Sequence, residues 1–571
     1  MSETRLPLED AYRWEREAPE RPWLVQPFGG GKVETYTWAQ ALDEARRMAA
    51  HLQSLDLEPG SQIAMISKNC AHFVMADLAI WMAGHVSVAL YPTLTAETIA
   101  YVLEHSDSKL LFVGKLDDLG EVRAGIPTDM PCISFPLAPE NDYPSWNSIV
   151  GKHGPVGGNP SRKAGDVAVI IYTSGSTGQP KGVMHSFGAI ANAVDGITKI
   201  FGANENDRML SYLPLAHVYE RFNVECQGLR AGYPIFFAET LDSFLTDLNR
   251  AAPTLFLSVP RLWLKFQIGV HKKFPPDKLA RFLKIPILNR VVKKKVLAGL
   301  GLQHVRFAAS ASAPIPPELI QWYRDLGLEL LEGYGMTEDF AYSHATFPGK
   351  GRFGYVGNSL PGVDVKINEE GEILVRSPGR MLGYYKDPAK TAECFTEDGF
   401  FKTGDRGERD DTGRLKITGR VKEIFKTSKG KYVAPAPIEN LLNNHNEVEL
   451  SCVTGAGNPQ PYALVLPAEE LRPRLSNGEE RTRFERELEG LLASVNAEVE
   501  AFERIQFLVV VKEPWLIENG YLTPTLKIKR GRIEDAYGPN SDAWYRAGHR
   551  VIWATDASGS GKPVVRANGG A

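Results

Sequence analysis

One pattern recurs five times between residues 167 and 338: a short apolar run, a polar or glycine-rich loop, then a helical stretch. "VAVIIY" leads into "TSGSTGQPKG", "RMLSYLP" leads to His217, and "TLFLSV" leads to Pro260 and Arg261. "VRFAAS" leads to "ASAP", and "LELLEGYG" leads to "MTE". Apolar β-rich runs joined by helical connectors predict parallel sheets, because parallel neighbours need a long crossover, usually a helix on the sheet face. In such sheets ligands gather beyond the carboxyl ends of the strands, so the five loops can converge on one cleft. The 571 residues exceed what one hydrophobic core organises, so at least two domains are expected. No short repeat of the solenoid kind is present.

From about residue 360 the texture changes. "VDVKINEEGEILVRSPG" and "GRLKITGRVKEIFKTSKGKYV" alternate like antiparallel hairpins with glycine turns. Beyond Arg420 the chain predicts a helix at "APIENLLNN", a strand near "SCVTGAG" and a long charged helix over residues 481–502. The expected fold is α/β. A large N-terminal domain (1–421) would hold parallel-rich sheets flanked by helices, plus a β-subdomain. A smaller, mobile α+β C-terminal domain (422–554) would follow, then a tail (555–571) of linker-like composition.

Composition excludes several classes. Lys plus Arg is 65 and Asp plus Glu is 69, so the net charge of −4 gives no support for nucleic-acid binding. Cys70, Cys132, Cys226, Cys394 and Cys452 are scattered and form no CxxC pair, which argues against a disulfide framework or zinc site and fits a reducing cytoplasm. The opening "MSETRLPLED" lacks an apolar h-region, so no signal peptide is expected. The most membrane-like stretch, residues 73–90, carries Asp77, Gly84 and His85, and reads as a buried helix running into a buried strand.

The segment "YTSGSTGQPKGVMHSF" (172–187) fails the Walker spacing, because Gly175 and Lys181 are too far apart and Pro180 precedes the lysine. It still meets the physical needs of an anion loop. Gly175 and Gly178 allow close backbone approach, Thr173, Ser174, Ser176 and Thr177 add hydroxyls, and Lys181 adds a mobile charge.

The order of residues in this segment resembles the first signature of the adenylate-forming (AMP-binding) superfamily, which includes acyl-CoA synthetases, peptide-synthetase adenylation domains and luciferases. Further stretches resemble its other motifs in sequence order: "SYLPLAHVYER" (211–221), "SASAP" (310–314), "GYGMTE" (333–338), "GRMLGYYKDPAKTAECFTEDGFFKTGD" (379–405), "GRVKEIFKTSKGKYVAPAPIE" (419–439) and "LTPTLKIKR" (522–530). The second, hinge and last motifs are closest to long-chain fatty acyl-CoA synthetases. One departure is Leu526, where relatives commonly have glycine before the lysine, and a stiffer lysine loop is expected.

The resemblance implies ligation of a medium- or long-chain fatty acid to coenzyme A through an acyl-adenylate, with ATP, Mg²⁺ and coenzyme A as cofactors or co-substrates. Branched, terpenoid and aromatic acids fit the same motifs. It assigns Thr173, Ser174, Gly175, Ser176, Thr177, Gly178 and Lys181 to the β- and γ-phosphates. Glu338 with Thr173 would hold Mg²⁺, and Thr337 would meet the α-phosphate. Tyr334 would lie against adenine, with Ser312, Ala313 and Pro314 on the other side. Asp405 would accept the ribose hydroxyls and Arg420 would reach ribose or phosphate. His217 would gate the carboxylate and later the thiol. Lys527 would carry the first step, and Lys422 would be the hinge. Lys429, Gly430 and Lys431 would face coenzyme A, although exposed hairpin lysines fit that stretch equally well.

Two other readings share the fold: a fatty acyl-AMP ligase that loads a carrier protein, and an idle lipid-binding homologue. The idle homologue should lack Lys181, Glu338, Asp405 or Lys527, and all four are present. Residues 265–300 are strongly basic, with Asp277 the only acid between Lys265 and Lys295 and apolar residues at helical spacing. Peripheral contact with an anionic membrane and an ordinary core-packed helix with a solvated basic face both fit this pattern.

Overall fold

The computed structural model describes residues 4–173, 179–523 and 525–554. Ser174, Gly175, Ser176, Thr177, Gly178 and the tail 555–571 lie outside the described residues. The chain divides into two compact units, Met1–Thr403 with Glu408–Lys416, and Gly404–Gly407 with Ile417–Ala571. The division runs through two strands, Phe401–Arg409 and Leu415–Arg420.

In the first unit a seven-stranded sheet runs in the order Gly383–Tyr384, Lys181–Ser186, Val167–Thr173, Val86–Leu90, Gln62–Ile66, Leu110–Val113, Cys132–Ser134. The last five pair in parallel and the first two antiparallel. The parallel strands read as near-continuous apolar runs because both faces are covered. All twelve residues of the helix Ala71–Met82 are buried, and the strand Val86–Leu90 follows, as expected for residues 73–90.

All five runs identified in the sequence are strands, but they belong to three sheets. Val167–Thr173 lies in the seven-stranded sheet. Met209–Ser211 is the edge of a four-stranded sheet with Ile235–Phe237, Pro22–Pro27 and Val33–Thr37. Leu255–Ser258, Phe307–Ser310 and Leu330–Tyr334 are parallel neighbours in a five-stranded sheet closed by two short antiparallel strands. Polar side chains stitch the sheets together, each joining a residue within one strand to one just past the end of another. The Tyr212 hydroxyl donates to the Leu257 carbonyl at 2.8 Å, and His185 Nε2 donates to the Thr337 carbonyl at 2.7 Å.

The basic stretch forms three helices, Pro260–Lys273, Pro276–Leu283 and Pro286–Gly299. Each begins on a proline, which suits the first turn because its missing N–H has no intrahelical partner there. Pro286 is the break expected from sequence, and Pro275-Pro276 adds a second.

In the second unit Val448–Thr454 pairs antiparallel with Tyr462–Pro467, which pairs in parallel with Leu508–Val510, and that in turn with Val551–Trp553. Strand alternation divides the core. Ala463, Val465, Leu508 and Val510 pack against Phe484, Leu488 and Leu492, while Leu464, Leu466 and Val509 pack with Trp515, Ile533 and Trp544. The long helix is Gly478–Glu498, so it starts and ends earlier than expected. Asn477 caps it by accepting from the Glu479 and Glu480 N–H groups, and Asn496 exchanges two hydrogen bonds with Ile505 that turn the chain back.

Candidate active site

In the first unit the strands Val167–Thr173 and Lys181–Ser186 pair antiparallel. Thr173 stands opposite Lys181, and Tyr172 opposite Gly182, on antiparallel strands. A Cβ on Gly182 would meet the Ile170 side chain at 2.7 Å, so the residue after the lysine must be small. The Lys181 ammonium lies 5.5 Å from the centre of the Tyr384 ring, and the Tyr384 hydroxyl donates to Glu338 Oε1 at 2.8 Å. The structure therefore brings Lys181 and Glu338 to one tyrosine from residues far apart in sequence. Tyr384 has no counterpart among the sequence assignments, although it lies in "GRMLGYYKDP", where the family pattern marks the block but not this contact.

Glu338 projects from the 3₁₀ turn Thr337–Asp339, whose backbone is fixed on three sides. His185 holds the Thr337 carbonyl, Met381 N–H donates to the Glu338 carbonyl at 2.7 Å, and Asp339 accepts from Met336 N–H at 2.9 Å. A Cβ on Gly335 would sit 2.7 Å from the Ala341 backbone, which explains the second glycine of "GYGMTE". Tyr334 ends its strand opposite His344, ring centres 5.9 Å apart. Ser312 adopts a left-handed backbone (φ 71°), unusual for a side-chain-bearing residue, and Ala313 and Pro314 beside it are exposed.

His217 caps the short turn Val218–Glu220, its Nδ1 accepting from Tyr219 N–H at 3.2 Å. In the neutral ring this leaves the proton on Nε2. The loop before it is held by two residues that motif reading did not single out. Glu220 accepts from Ser211 Oγ and Tyr212 N–H, both at 2.9 Å, and Asn69 Nδ2 donates to the Leu213 carbonyl while Asn69 Oδ1 accepts from Leu215 N–H. Behind this loop the chain widens into a π-helical turn, Arg221–Cys226, with every residue buried. Within it Arg221 Nη1 lies 2.9 Å from Asp77 Oδ2, and Arg221 Nε 3.8 Å from Glu225 Oε2.

Burial pushes the Glu220 carboxyl up to about 8, partly opposed by its bonds from Ser211 and Tyr212. Burial likewise pushes Asp339 up to about 8, against the Met336 N–H bond and with the Glu338 charge adding to the rise. Both folded values exceed the unfolded ones of 4.5 and 3.8, so the fold retains protons that the unfolded chain releases. Their stabilisation is complete below about pH 4 and is lost as pH rises through about 8. Denaturant midpoints are therefore expected to fall between about pH 6 and about pH 9, with a shallower fall in Glu220→Gln. An identical slope in that variant would remove Glu220 from the account.

The second unit gathers its own set. Asp405 is buried, and Arg420 Nε lies 3.1 Å from its Oδ1. The Lys527 ammonium is held below the ordinary lysine value by the protein mass around it and then by the Arg420 charge, while Asp405 and Glu423 act in the opposite sense. Its side chain still opens to solvent. Of the basic residues in "LKIKR", Arg530 is committed elsewhere. It pairs with Glu439 at 2.8 Å and donates to the Val453 carbonyl, tying the helix Arg530–Tyr537 to the sheet. Lys422 is exposed on the 3₁₀ turn Val421–Glu423. Lys429, Gly430 and Lys431 are exposed on the hairpin joining Phe425–Lys426 to Tyr432–Val433, with Gly430 at φ 77° making its turn.

Leu526 has φ 59° and is half-exposed. The side chain therefore occupies a left-handed conformation that glycine adopts freely. Leu526→Gly removes about 1–2 kcal/mol of backbone strain and adds about 0.5–1 kcal/mol of unfolded-chain entropy. A net gain of up to about 1.5 kcal/mol is expected in denaturant unfolding, and a loss would show that the leucine is held by packing.

Among the described residues no group of three or more His, Cys, Asp or Glu side chains is arranged to hold a metal ion. Glu338 and Thr173 offer oxygen donors only, the chemistry a hard cation such as Mg²⁺ takes. They fit an ion held chiefly by phosphate oxygens and water rather than by a protein cage.

The family model described as AMP-binding enzyme matches residues 11–385, and that described as AMP-binding enzyme C-terminal domain matches residues 422–549. The long-chain-fatty-acid–CoA ligase FadD15 of Mycobacterium bovis is 28% identical, over 94% of this chain and 96% of its own length. The peroxisomal long chain acyl-CoA synthetase 7 of Arabidopsis thaliana is 30% identical, over 88% of this chain and 80% of its own. Among solved structures, the A domain of carboxylic acid reductase from Segniliparus rugosus, in complex with AMP and a co-purified carboxylic acid, superposes with a TM-score of 0.78. It is 22% identical and covers 95% of this chain and 94% of its own. The anthranilate CoA ligase AuaEII, in complex with anthranoyl-AMP, gives a TM-score of 0.76 at 20% identity, covering 95% and 99%. With two family models spanning most of its length and relatives aligned nearly end to end, the chain belongs to the AMP-binding enzyme family and is an adenylate-forming enzyme of the acyl-CoA synthetase kind.

Proposed function

We propose that the chain ligates a medium- or long-chain fatty acid to coenzyme A in two steps. A fatty carboxylate oxygen attacks the α-phosphorus of ATP, the bond to the β-phosphate bridging oxygen breaks, and pyrophosphate leaves. The coenzyme A thiol, losing its proton, then attacks the acyl carbonyl and AMP leaves. The observation that carries this reading is the near end-to-end similarity to long-chain fatty acid–CoA ligases, with Lys181, Glu338, Asp405 and Lys527 all present.

The work of the chain is positioning and charge. Lys181, with residues 173–178, would grip the leaving pyrophosphate. Glu338, oriented by Tyr384, would hold Mg²⁺ together with Thr173, and the ion would neutralise phosphate charge. Thr337 would donate to the α-phosphate. Tyr334 and the 312–314 backbone would enclose adenine, and Asp405 would accept from the ribose hydroxyls with Arg420 beside it. Lys527 would offset the negative charge that builds as carboxylate and phosphate approach. His217, with its proton on Nε2, can donate to the carboxylate oxygen. In the second step Lys422 would act as hinge, and Lys429 and Lys431 would meet coenzyme A phosphates.

The test is ATP–pyrophosphate exchange across a panel of acids, followed by thioester formation with coenzyme A or a carrier protein. Exchange with fatty acids and thioester with coenzyme A supports the proposal. Exchange with transfer only to carrier protein identifies a carrier-loading ligase, and no exchange with any acid overturns the enzymatic reading.

A further inference from the structure

We infer that the solvent face of the helix Pro286–Gly299, with the turn before it, docks on anionic lipid headgroups at a bilayer surface. This goes beyond the ligation reading and does not depend on it.

The helix has one committed face. Val292 and Val296 are buried in the core with Leu279, and Leu288 and Leu297 pack beside them. At 100° per residue, Ile287 and Lys294 point the opposite way and Val291 lies on the flank beside them. Ile287 is 84% exposed, Val291 58%, and Ile285 in the turn 49%. Three β-branched aliphatics on an open surface add nothing to helix propensity and cost hydration, so neither local folding nor the core explains them. Exposed cations flank them in sequence: Arg281, Lys284, Arg290, Lys294 and Lys295. Asp277 is the only acid between residues 265 and 295, in a chain whose net charge is −4. The positive charge is thus local.

Exposed aliphatic residues interspersed with exposed cations match an interface that is anionic outside and hydrocarbon a few ångströms below. A second copy is disfavoured, because the same cations would face each other across a twofold contact. Among the described residues no helix is long and apolar enough to cross a membrane, so the contact proposed is peripheral.

Co-sedimentation of the full chain with phosphatidylcholine vesicles, with and without phosphatidylglycerol, tests this without any activity readout. Binding only to the anionic vesicles is expected. It should weaken as added salt shortens the Debye length from about 10 Å toward about 3 Å. Neutralising Lys284, Arg290 or Lys294 to glutamine should lower binding about fivefold each. Ile287→Ser with Val291→Ser should lower it with all charges kept, and melting curves check that each variant folds. The proposal is overturned if the parent chain ignores anionic vesicles, or if folded variants bind as the parent does. It is also overturned if the parent is a dimer that Ile287→Ser with Val291→Ser converts to monomer.

Discussion

Lys527→Ala is expected to lower ATP–pyrophosphate exchange by about 10²- to 10³-fold, the range seen when one preorganised transition-state donor is lost. Thioester formation from preformed acyl-adenylate should change only a few fold, because that step brings a neutral thiol to a carbonyl instead of two anions together. Asp405 and Glu423 favour the Lys527 ammonium, while burial and the Arg420 charge oppose it. Its lowered pKa adds a second signature. Exchange should decline as pH rises through that value, below the ordinary lysine range, and Lys527→Arg should remove this limb, since arginine stays charged. Equal losses in both half-reactions would mean that the variant damages the second unit and not the first step.

Arg221→Met is expected to destabilise the first unit by about 3–5 kcal/mol in denaturant unfolding, the cost of leaving buried acids without their cation. Asp77, Arg221 and Glu225 are all buried, and the Arg221 guanidinium also donates to the Leu215 carbonyl and lies over the Phe73 ring. Two acids share one base here. Burial, and then the Asp77 charge, hold the Glu225 carboxyl well above the ordinary range, which favours its neutral form. Glu225→Gln should therefore cost less than about 1 kcal/mol, because it removes no charge. Adding Asp77→Asn and Glu225→Gln to Arg221→Met should recover most of the loss. If Glu225→Gln proves as costly as Arg221→Met, the glutamate is ionised and the proton assignment is wrong.

What sequence made legible was what periodicity and order encode. The strand at Val167–Thr173 follows from its continuous apolar run, and the antiparallel turn at Gly430 from alternation and turn chemistry. The motif "GYGMTE" sits at a strand end and 3₁₀ turn whose close packing needs the glycine at 335. Pairings across long separations were not legible. Asn69 reaches Ser211 and Leu213 from about 140 positions away, and "SKNCAHF" carries no sign of it. Tyr384 meets Glu338 through a fold contact that no spacing rule encodes. The departure at Leu526 was visible as a missing glycine, but its cause, a left-handed backbone, is a conformational fact. The π-helical turn is equally silent in sequence, because Arg221, Asn223 and Glu225 alternate with Phe222, Val224 and Cys226 and show no helical period.

The division of the chain through the strand Phe401–Arg409 bears on how such proteins exchange parts. The backbone passes from one unit to the other after Thr403, back after Gly407, and across again after Lys416. A recombinant joined at residue 422 therefore inherits Asp405 and Arg420 from one parent, and Glu423 and Lys527 from the other. A junction at Gly404 keeps all four from a single ancestor. Four residues inside a strand thus decide which crossovers carry a coadapted charge set intact and which split it between lineages.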